Sequence, residues 1–147
     1  MLRNRRAFLE AGFYQPLLEH VTLWARAACQ RGMATPRLLD VGCGEGYYTG
    51  GLAAALPERA EIWGIDISRA AVQMASKRHK RANFAVASAR VLPVMDEVLD
   101  LIVVIFGPRQ PGEFRRVLRR SGLALIVAPA ESHMIEIRHR LYQRLDD

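Results

Sequence analysis

The sequence predicts an α/β protein with a doubly wound, mostly parallel sheet of about five strands, preceded by N-terminal helices. Short apolar segments alternate with amphipathic helical segments, and glycines or prolines separate them. Strands that alternate with helices are joined by right-handed crossovers and build a parallel sheet with helices on both faces. The longest apolar segments, Leu99–Phe106 and Leu123–Ala130, have the length of buried strands and are too short to span a membrane.

The composition indicates one globular domain with an apolar core. Of the 147 residues, 50% are hydrophobic and 24% are charged, which excludes a disordered or collagen-like chain. The basic N-terminus is not followed by a clean apolar stretch, so it does not resemble a signal peptide. We therefore expect a soluble, cytoplasmic protein without a membrane partner.

The N-terminal part, residues 1–36, is expected to be helical. Apolar side chains recur at nearly a helical period over Arg3–Arg31, and Gly12 and Pro16 mark a break between two helical pieces. Residues 37–147 form the core of the same structural domain.

The first half of this core alternates strand and helix twice. A compact apolar strand runs into three glycines, and the helix after them is closed by Pro57. A second strand precedes Ser68, whose hydroxyl is a suitable N-cap for the next helix. The predicted elements are a strand Arg37–Val41, a helix Tyr47–Leu56, a strand Glu61–Ile67 and a helix Arg69–His79.

The second half contains the most apolar strand, which we expect to be covered on both faces. The predicted elements are a strand Asn83–Ala87, a loop Pro93–Glu97, the strand Val98–Phe106, a helix Gly112–Leu118, a turn at Ser121–Gly122, a strand Leu123–Ala128 and a closing helix Ser132–Leu145.

The formal net charge is +6, and most of the cations are arginines, whose planar fork binds phosphates and carboxylates. Each basic run by itself is most simply a solvated helix face, but their sum favours a polyanionic partner. The two cysteines, Cys29 and Cys43, are too few for a disulfide framework, and neither belongs to a zinc-binding Cys-x-x-Cys pair. A reducing compartment and no metal site are therefore expected.

Three glycines at the end of the first strand mark the candidate ligand site. Gly42, Gly44 and Gly46 allow a tight turn and a close approach of a ligand to the backbone. About 20 residues later the second strand ends at Asp66, a position at which a carboxylate accepts ribose hydroxyls. The pattern predicts a nucleoside cofactor bound at the carboxyl ends of the strands.

The spacing of these glycines argues against a dinucleotide. Dinucleotide folds carry Gly-x-Gly-x-x-Gly, whereas here the third glycine comes one residue earlier. Asp40, two residues before Gly42, would repel a pyrophosphate but would suit the ammonium of a methionyl group. An NAD-dependent oxidoreductase is therefore the weakest hypothesis.

The Asp-x-Gly-x-Gly-x-Gly pattern resembles that of the Rossmann-like class I S-adenosylmethionine-dependent methyltransferases. Residues 5–17, 39–49 and 86–93 further resemble the bacterial 23S ribosomal RNA (guanine-N1)-methyltransferases. The specific parts of this resemblance are the segment Tyr14–Leu17 and the pair Tyr47–Tyr48, because methyltransferases in general need neither.

The resemblance implies a cofactor site that extends beyond the glycines. Asp66 would bind the ribose, and Ala87 and Ser88 would flank the adenine. The expected contacts to S-adenosyl-L-methionine are Tyr14, Asp40, Gly42, Gly44, Glu45, Gly46, Asp66, Ile67, Ala87, Ser88 and His133.

The chain also departs from the family pattern. The four-cysteine zinc module that precedes this segment in the family has no counterpart here, and neither do its further C-terminal strands. The fourth strand ends in Phe106-Gly107-Pro108-Arg109, where the family pattern is closer to Tyr-Ala-Pro-Cys. The catalytic residues are thus unknown, with Phe106 and Arg109 as candidates. Glu45 and His133 are further candidates for assisting deprotonation of the base.

The expected function is methyl transfer to N1 of a guanine in a 23S rRNA hairpin. Two alternatives are a truncated or inactive domain that binds the cofactor and a methyltransferase for a small molecule. An uncovered sheet edge after the fifth strand would favour a homodimer.

Overall fold

The computed structural model describes residues 9–30 and 34–130, in which strands and helices alternate. A π-helical turn (Leu9–Phe13) comes first. The remaining elements are α1 (Gln15–Cys29), β1 (Arg37–Val41), α2 (Tyr47–Ala55), β2 (Glu61–Asp66), α3 (Arg69–Arg78), β3 (Asn83–Val86), β4 (Leu99–Ile105), α4 (Pro111–Val117) and β5 (Leu118–Val127).

The five strands form one parallel sheet in the order β3-β2-β1-β4-β5. The predicted fold class is therefore confirmed. The direction in which strands are added reverses between β1 and β4, and in open α/β sheets ligands bind at such a switch point, beyond the carboxyl ends of the strands.

The N-terminal break is also confirmed within the described residues. Gly12 has φ 87°, in the left-handed region that glycine adopts without steric cost, and it interrupts the helix before α1. Pro16 then lies in the first turn of α1, where its missing N–H costs no helical hydrogen bond.

Helices α1 and α2 cover one face of the sheet. Val21 and Ala25 of α1 and Leu52 of α2 share a buried cluster with Leu38 and Ile62 of the sheet. Burial of each large aliphatic side chain contributes about 1.5–3 kcal/mol, so this packing fixes α2 and the loop before it against β1.

Helix α4 covers the opposite face. Phe114 and Val117 pack with Leu39, Ile102 and Val104 in a second buried cluster. All seven residues of β4 are buried, which confirms the prediction that this strand is covered on both sides.

The predicted start of the fifth strand is wrong. Instead of a turn at Ser121–Gly122 before the strand, β5 begins at Leu118, directly after α4. The pairing with β4 moves from Leu99↔Leu118 to Leu101↔Leu123, so the expected turn is an irregularity within the strand. Its physical cause is tertiary, because Arg119 bonds the buried Asp100 of β4 at 2.8 Å and holds the start of β5 against the sheet.

The other predicted boundaries within the described residues agree with the structure to within one residue. The predicted closing helix Ser132–Leu145, and His133 with it, lie outside the described residues. No helix in residues 9–30 or 34–130 has the length and hydropathy needed to cross a membrane.

Candidate cofactor-binding site

The glycine loop continues the pairing of β1 with β2 beyond the ends of both strands. The N–H groups of Gly42 and Cys43 both donate to the carbonyl of Ile65, at 2.8 and 2.9 Å. The next N–H along the loop, that of Gly44, donates to the Asp66 carboxylate at 2.9 Å. The loop therefore curls over the end of β2 and delivers the chain to α2.

Positive backbone angles make this path possible. Gly42, Gly44 and Gly46 have φ of 81°, 56° and 83°. At Gly46 a Cβ would lie 2.9 Å from the ring of His79 and 3.0 Å from Cβ of Ala75, so both conformation and space require glycine. These glycines are thus needed for the loop itself, independently of any ligand.

Asp66 is held by two backbone donors. Its Oδ2 accepts from Gly44, and its Oδ1 accepts from the N–H of Ser68 at 2.8 Å. Ser68 is the N-cap of α3, as predicted, and its hydroxyl accepts from the N–H of Ala71. Because a carboxylate has about four acceptor positions, both oxygens retain capacity for a ligand hydroxyl.

A cleft of about 300 Å³ opens beside Asp66, at the switch point. Its wall brings together the carboxyl ends of β1, β2, β3 and β4, and includes Gly42, Asp66, Ile67, Ala87, Phe106 and Pro108. Apolar walls with one fixed carboxylate suit a flat base carried on a ribose, and the volume is at the lower end for a small-molecule site. The lining therefore fits the adenosine part of S-adenosylmethionine, with Asp66 as the acceptor for the ribose hydroxyls.

Asp40 and Glu45 lie together in a second, much smaller pocket. This pocket has a volume of about 10 Å³, enough for one water molecule, and it shares Gly42 and Ile105 with the cleft. Asp40 is 2% exposed and accepts a hydrogen bond of 2.6 Å from the Thr49 hydroxyl. The two carboxylates are adjacent to the cleft rather than open to it.

Burial raises the pKa of Asp40 to about 6. The hydrogen bond from Thr49 opposes this rise, and the negative charge of Asp66 adds to it. Burial likewise raises the pKa of the Cys43 thiol far above its usual value, which makes that side chain a neutral, space-filling group under the loop.

The remaining predicted residues lie just before α1 and in the loops that follow β3 and β4. Tyr14, just before α1, meets the ring of Phe106 edge to face, with centroids 6.3 Å apart. Arg109 is exposed on the loop that follows Phe106. Ser88 is exposed, and its hydroxyl accepts from the N–H of Arg90 at 3.2 Å, while its neighbour Ala89 lines the cleft.

Sequence reasoning missed two residues that shape the site. Thr49 is the hydrogen-bond donor to Asp40, and its position in α2 is visible only once the helix is placed over β1. Gly107 lets the loop after β4 touch the end of β1, because a Cβ there would lie 2.8 Å from the carbonyl oxygen of Val41. The Gly-Pro pair after an apolar strand was the available signal for that close approach.

The profile of the methyltransferase-domain family matches residues 38–122, which contain the glycine loop, Asp66 and the end of β4. The chain is also 37% identical over 140 residues to the 23S rRNA (guanine(748)-N(1))-methyltransferase of Streptomyces fradiae, covering 93% of this chain and 49% of that protein. It is 34% identical to a protein of Micromonospora griseorubida assigned as a 23S rRNA (guanine-N(1)-)-methyltransferase, covering 96% and 52%. The chain thus spans about half the length of the curated relatives it matches.

Solved structures agree on the fold. A protein of Methanococcus maripaludis, assigned as an S-adenosyl-L-methionine-dependent methyltransferase, superposes with a TM-score of 0.69 at 17% identity, over 96% of this chain and 69% of its own. The family match and this fold confirm the resemblance stated above for the cofactor-binding core. The chain belongs to the methyltransferase-domain family and has the class I S-adenosylmethionine-dependent methyltransferase fold.

Proposed function

We propose that this chain is the cofactor-binding part of an RNA methyltransferase that uses S-adenosyl-L-methionine to methylate N1 of a guanine in 23S rRNA. The observation that carries the proposal is the cleft at the switch point, which is lined both by Asp66, fixed by the glycine loop, and by Phe106. The printed activities of the relatives from Streptomyces and Micromonospora support the choice of RNA and of guanine N1.

The cleft and the carboxylates beside it suit different parts of the cofactor. The cleft beside Asp66 suits the adenosine, whose ribose hydroxyls would donate to the carboxylate. Asp40 and Glu45 lie in the pocket next to the cleft, which is too small for the methionyl group itself, and their negative charge beside the cleft would attract its ammonium. S-adenosylmethionine supplies an activated methyl group on sulfur, and the protein contributes alignment of donor and acceptor rather than covalent chemistry.

Phe106 suits the acceptor base. It directly follows β4, the residue is 44% exposed, and it lines the same cleft as Asp66. A guanine splayed out of an RNA loop needs an apolar face on which to stack, and aromatic side chains provide it. We propose a hairpin loop as the RNA element, because N1 of a paired guanine is engaged in base pairing.

Deprotonation of guanine N1 is favoured when the negative charge that develops on O6 is stabilised. Arg109 is exposed on the loop three residues after Phe106, so its guanidinium is a candidate for this charge. We assign it no more than an electrostatic role, and Glu45 and His133 stay candidates for accepting the proton.

Calorimetry tests the cofactor half of the proposal. The whole chain is titrated with S-adenosylmethionine and, in a separate experiment, with NAD. We expect heat with S-adenosylmethionine only, and heat with NAD alone would overturn the cofactor. Asp66→Asn should weaken binding about tenfold or more, because charge-assisted bonds to the ribose are lost. Glu58→Gln, which removes an exposed carboxylate from the loop before β2, is the matched control.

The substrate half is tested with methyl-labelled cofactor and 23S RNA, followed by mapping of the modified base. Incorporation at a guanine N1 is the expected result. Cofactor binding without transfer to RNA would instead favour the inactive or small-molecule alternatives. We propose that the reaction occurs in the cytoplasm. We also propose that two copies pair through the exposed Leu123 and Ile126 of β5, and size-exclusion chromatography with light scattering tests this pairing.

A further inference from the structure

Many of the cations lie at the end of the sheet opposite the cleft. In a parallel sheet the amino ends of all strands lie on one side. The cleft lies on the opposite side, at the carboxyl ends of the strands. Arg37 opens β1, Arg59 comes two residues before β2, Arg81 two residues before β3, and Arg119 is the second residue of β5. Within residues 9–30 and 34–130, a set of the predicted polyanion-binding arginines thus lies away from the expected site of methyl transfer.

Two of these arginines are neutralised by carboxylates. Arg37 pairs with Glu61 at 3.1 Å, and Arg119 pairs with the buried Asp100 at 2.8 Å. These pairs explain their residues structurally, because a carboxylate already offsets the charge of each guanidinium.

Three other arginines surround the C-terminal end of α2 without a carboxylate partner among residues 9–30 and 34–130. Arg26 of α1 donates from Nε to the carbonyl of Ala55 at 3.0 Å. Arg81 donates from Nη2 to the carbonyl of Leu56 at 3.4 Å. Arg26 and Arg59 line a groove of about 330 Å³, which also includes Leu56, and we call it the basic groove.

Helix capping accounts for only part of this arrangement. Carbonyls at a helix C-terminus attract cations, which explains the bonds made by Arg26 and Arg81. Each of these guanidinium groups has five N–H donors, so most remain unused, and Arg59 makes no capping bond. All three side chains are exposed, and Lys77 and Lys80 at the end of α3 extend the positive surface.

The geometry points to the phosphate backbone of RNA as the occupant of the basic groove. Guanidinium forks match phosphate oxygens in shape and charge, and positive charge concentrated in a groove tracks a nucleic-acid backbone. Strands of five or six residues, at about 3.3 Å per residue, separate the groove from the cleft by roughly 15–20 Å. A structured RNA that places one nucleotide in the cleft is longer than this distance, so the same RNA can also reach the basic groove.

We propose that the basic groove lined by Arg26 and Arg59, together with Arg81 at the neighbouring carbonyl of Leu56, is a second RNA contact surface, which binds phosphates of the same RNA that presents its guanine to the cleft. The inference rests on the proposed RNA substrate. The inference adds a phosphate-binding surface at the amino ends of the strands. This surface would position the RNA without touching the reacting atoms.

The decisive comparison is between Arg59→Glu and Arg115→Glu. Both replace an exposed arginine and change the net charge equally, but Arg115 lies on α4, across the sheet from the groove. RNA affinity is measured by fluorescence anisotropy over a salt series, and cofactor affinity by calorimetry. We expect Arg59→Glu to weaken RNA binding about tenfold near 0.1 M salt and to lower the salt slope by about 1. Arg115→Glu should bind RNA like the wild type, and both variants should bind the cofactor normally.

The outcomes separate this inference from the proposed function. Equal effects of the two variants would mean that RNA responds to net charge alone, which overturns the groove and leaves the RNA substrate standing. Cofactor binding by the wild type with no RNA binding would overturn both. The double variant Arg26→Gln/Arg81→Gln, checked for folding by circular dichroism, should also weaken RNA binding. If Arg59→Glu weakened the binding of inorganic phosphate but left RNA binding unchanged, the groove would be a site for a free anion, and the proposal would be overturned.

Discussion

The rings of Tyr14 and Phe106 meet edge to face at the cleft, with their centroids 6.3 Å apart and their planes at 82°. The contact joins the start of α1 to the end of β4, two segments that are far apart in the sequence. Phe106 has φ 54°, in the left-handed region, which is an outlier for a bulky residue. Such conformations persist where the surroundings impose them and are concentrated at functional sites, which agrees with a role in stacking the acceptor base.

Replacing Phe106 with glycine should separate stability from activity. Glycine relieves about 1–2 kcal/mol of left-handed strain, which offsets part of the cost of losing the aromatic contact and the buried part of the ring. The melting temperature should therefore fall only modestly. Loss of base stacking should lower kcat/KM for RNA by about 10- to 100-fold, and Phe106→Tyr should retain most activity. Full RNA methylation by Phe106→Gly would remove the residue from the site.

The buried Asp40 should make stability fall as the pH rises. Its pKa is raised from 3.8 to about 6 in the folded protein, so the folded state holds the proton more tightly than the unfolded state does. The associated stability is fully present below about pH 4 and is lost as the pH rises through about 6. Asp40→Asn should be more stable than the wild type at pH 7, by at most about 3 kcal/mol, and should bind the cofactor less tightly.

The measurement is urea unfolding of both proteins between pH 4 and 7. The difference between the two free energies of unfolding should grow across this range, whereas a constant difference would contradict the raised pKa. Thr49→Val is the companion variant, because it removes the donor at 2.6 Å and leaves the shape. It should destabilise the protein by about 1–3 kcal/mol at pH 7 and less at pH 4, where Asp40 is protonated in both folded proteins.

Gly107→Ala tests the close approach of the loop after β4 to the end of β1. The added Cβ would lie 2.8 Å from the carbonyl oxygen of Val41, so the loop must shift, at a cost of about 1–3 kcal/mol. The shift should also weaken cofactor binding, since Gly107 lines the cleft. Gly112→Ala in α4 is the control, because its Cβ meets nothing within 4 Å, and it should be neutral or slightly stabilising. Equal melting temperatures for the two variants would show that the contact is unimportant.

Arg116→Lys should loosen the segment that leads from the cleft to β4. The guanidinium bonds both carboxylate oxygens of Glu113 at 2.9 and 2.7 Å and also reaches the carbonyls of Leu92 and Val94. A lysine provides one point charge in place of this fork. We expect a lower melting temperature and faster hydrogen exchange around residues 92–98, with the glycine loop unaffected. Unchanged exchange there would mean that the fork does not hold the segment.

The element order and the shape of the glycine loop in the candidate site were predictable because they depend on local pattern. The alternation of apolar strands with capped helices identifies the parallel sheet, and three glycines after a strand identify a loop that needs positive φ. Asp66 was predictable for the same reason, since it ends the strand next in the chain. The start of β5 was not, because Arg119 is held by Asp100, a partner that no local pattern reveals.

The sequence by itself thus determined the fold class, the edge of the sheet that carries the site, and the residues at strand ends. Only the tertiary structure decided which side chains share a space. It put Asp40 and Glu45 in a small pocket beside the cleft, set Tyr14 against Phe106, and gathered Arg26 of α1 and the loop residues Arg59 and Arg81 around one helix end. The physical reason is that periodicity and capping act over a few residues, whereas burial, close approach and charge clustering depend on packing between distant segments.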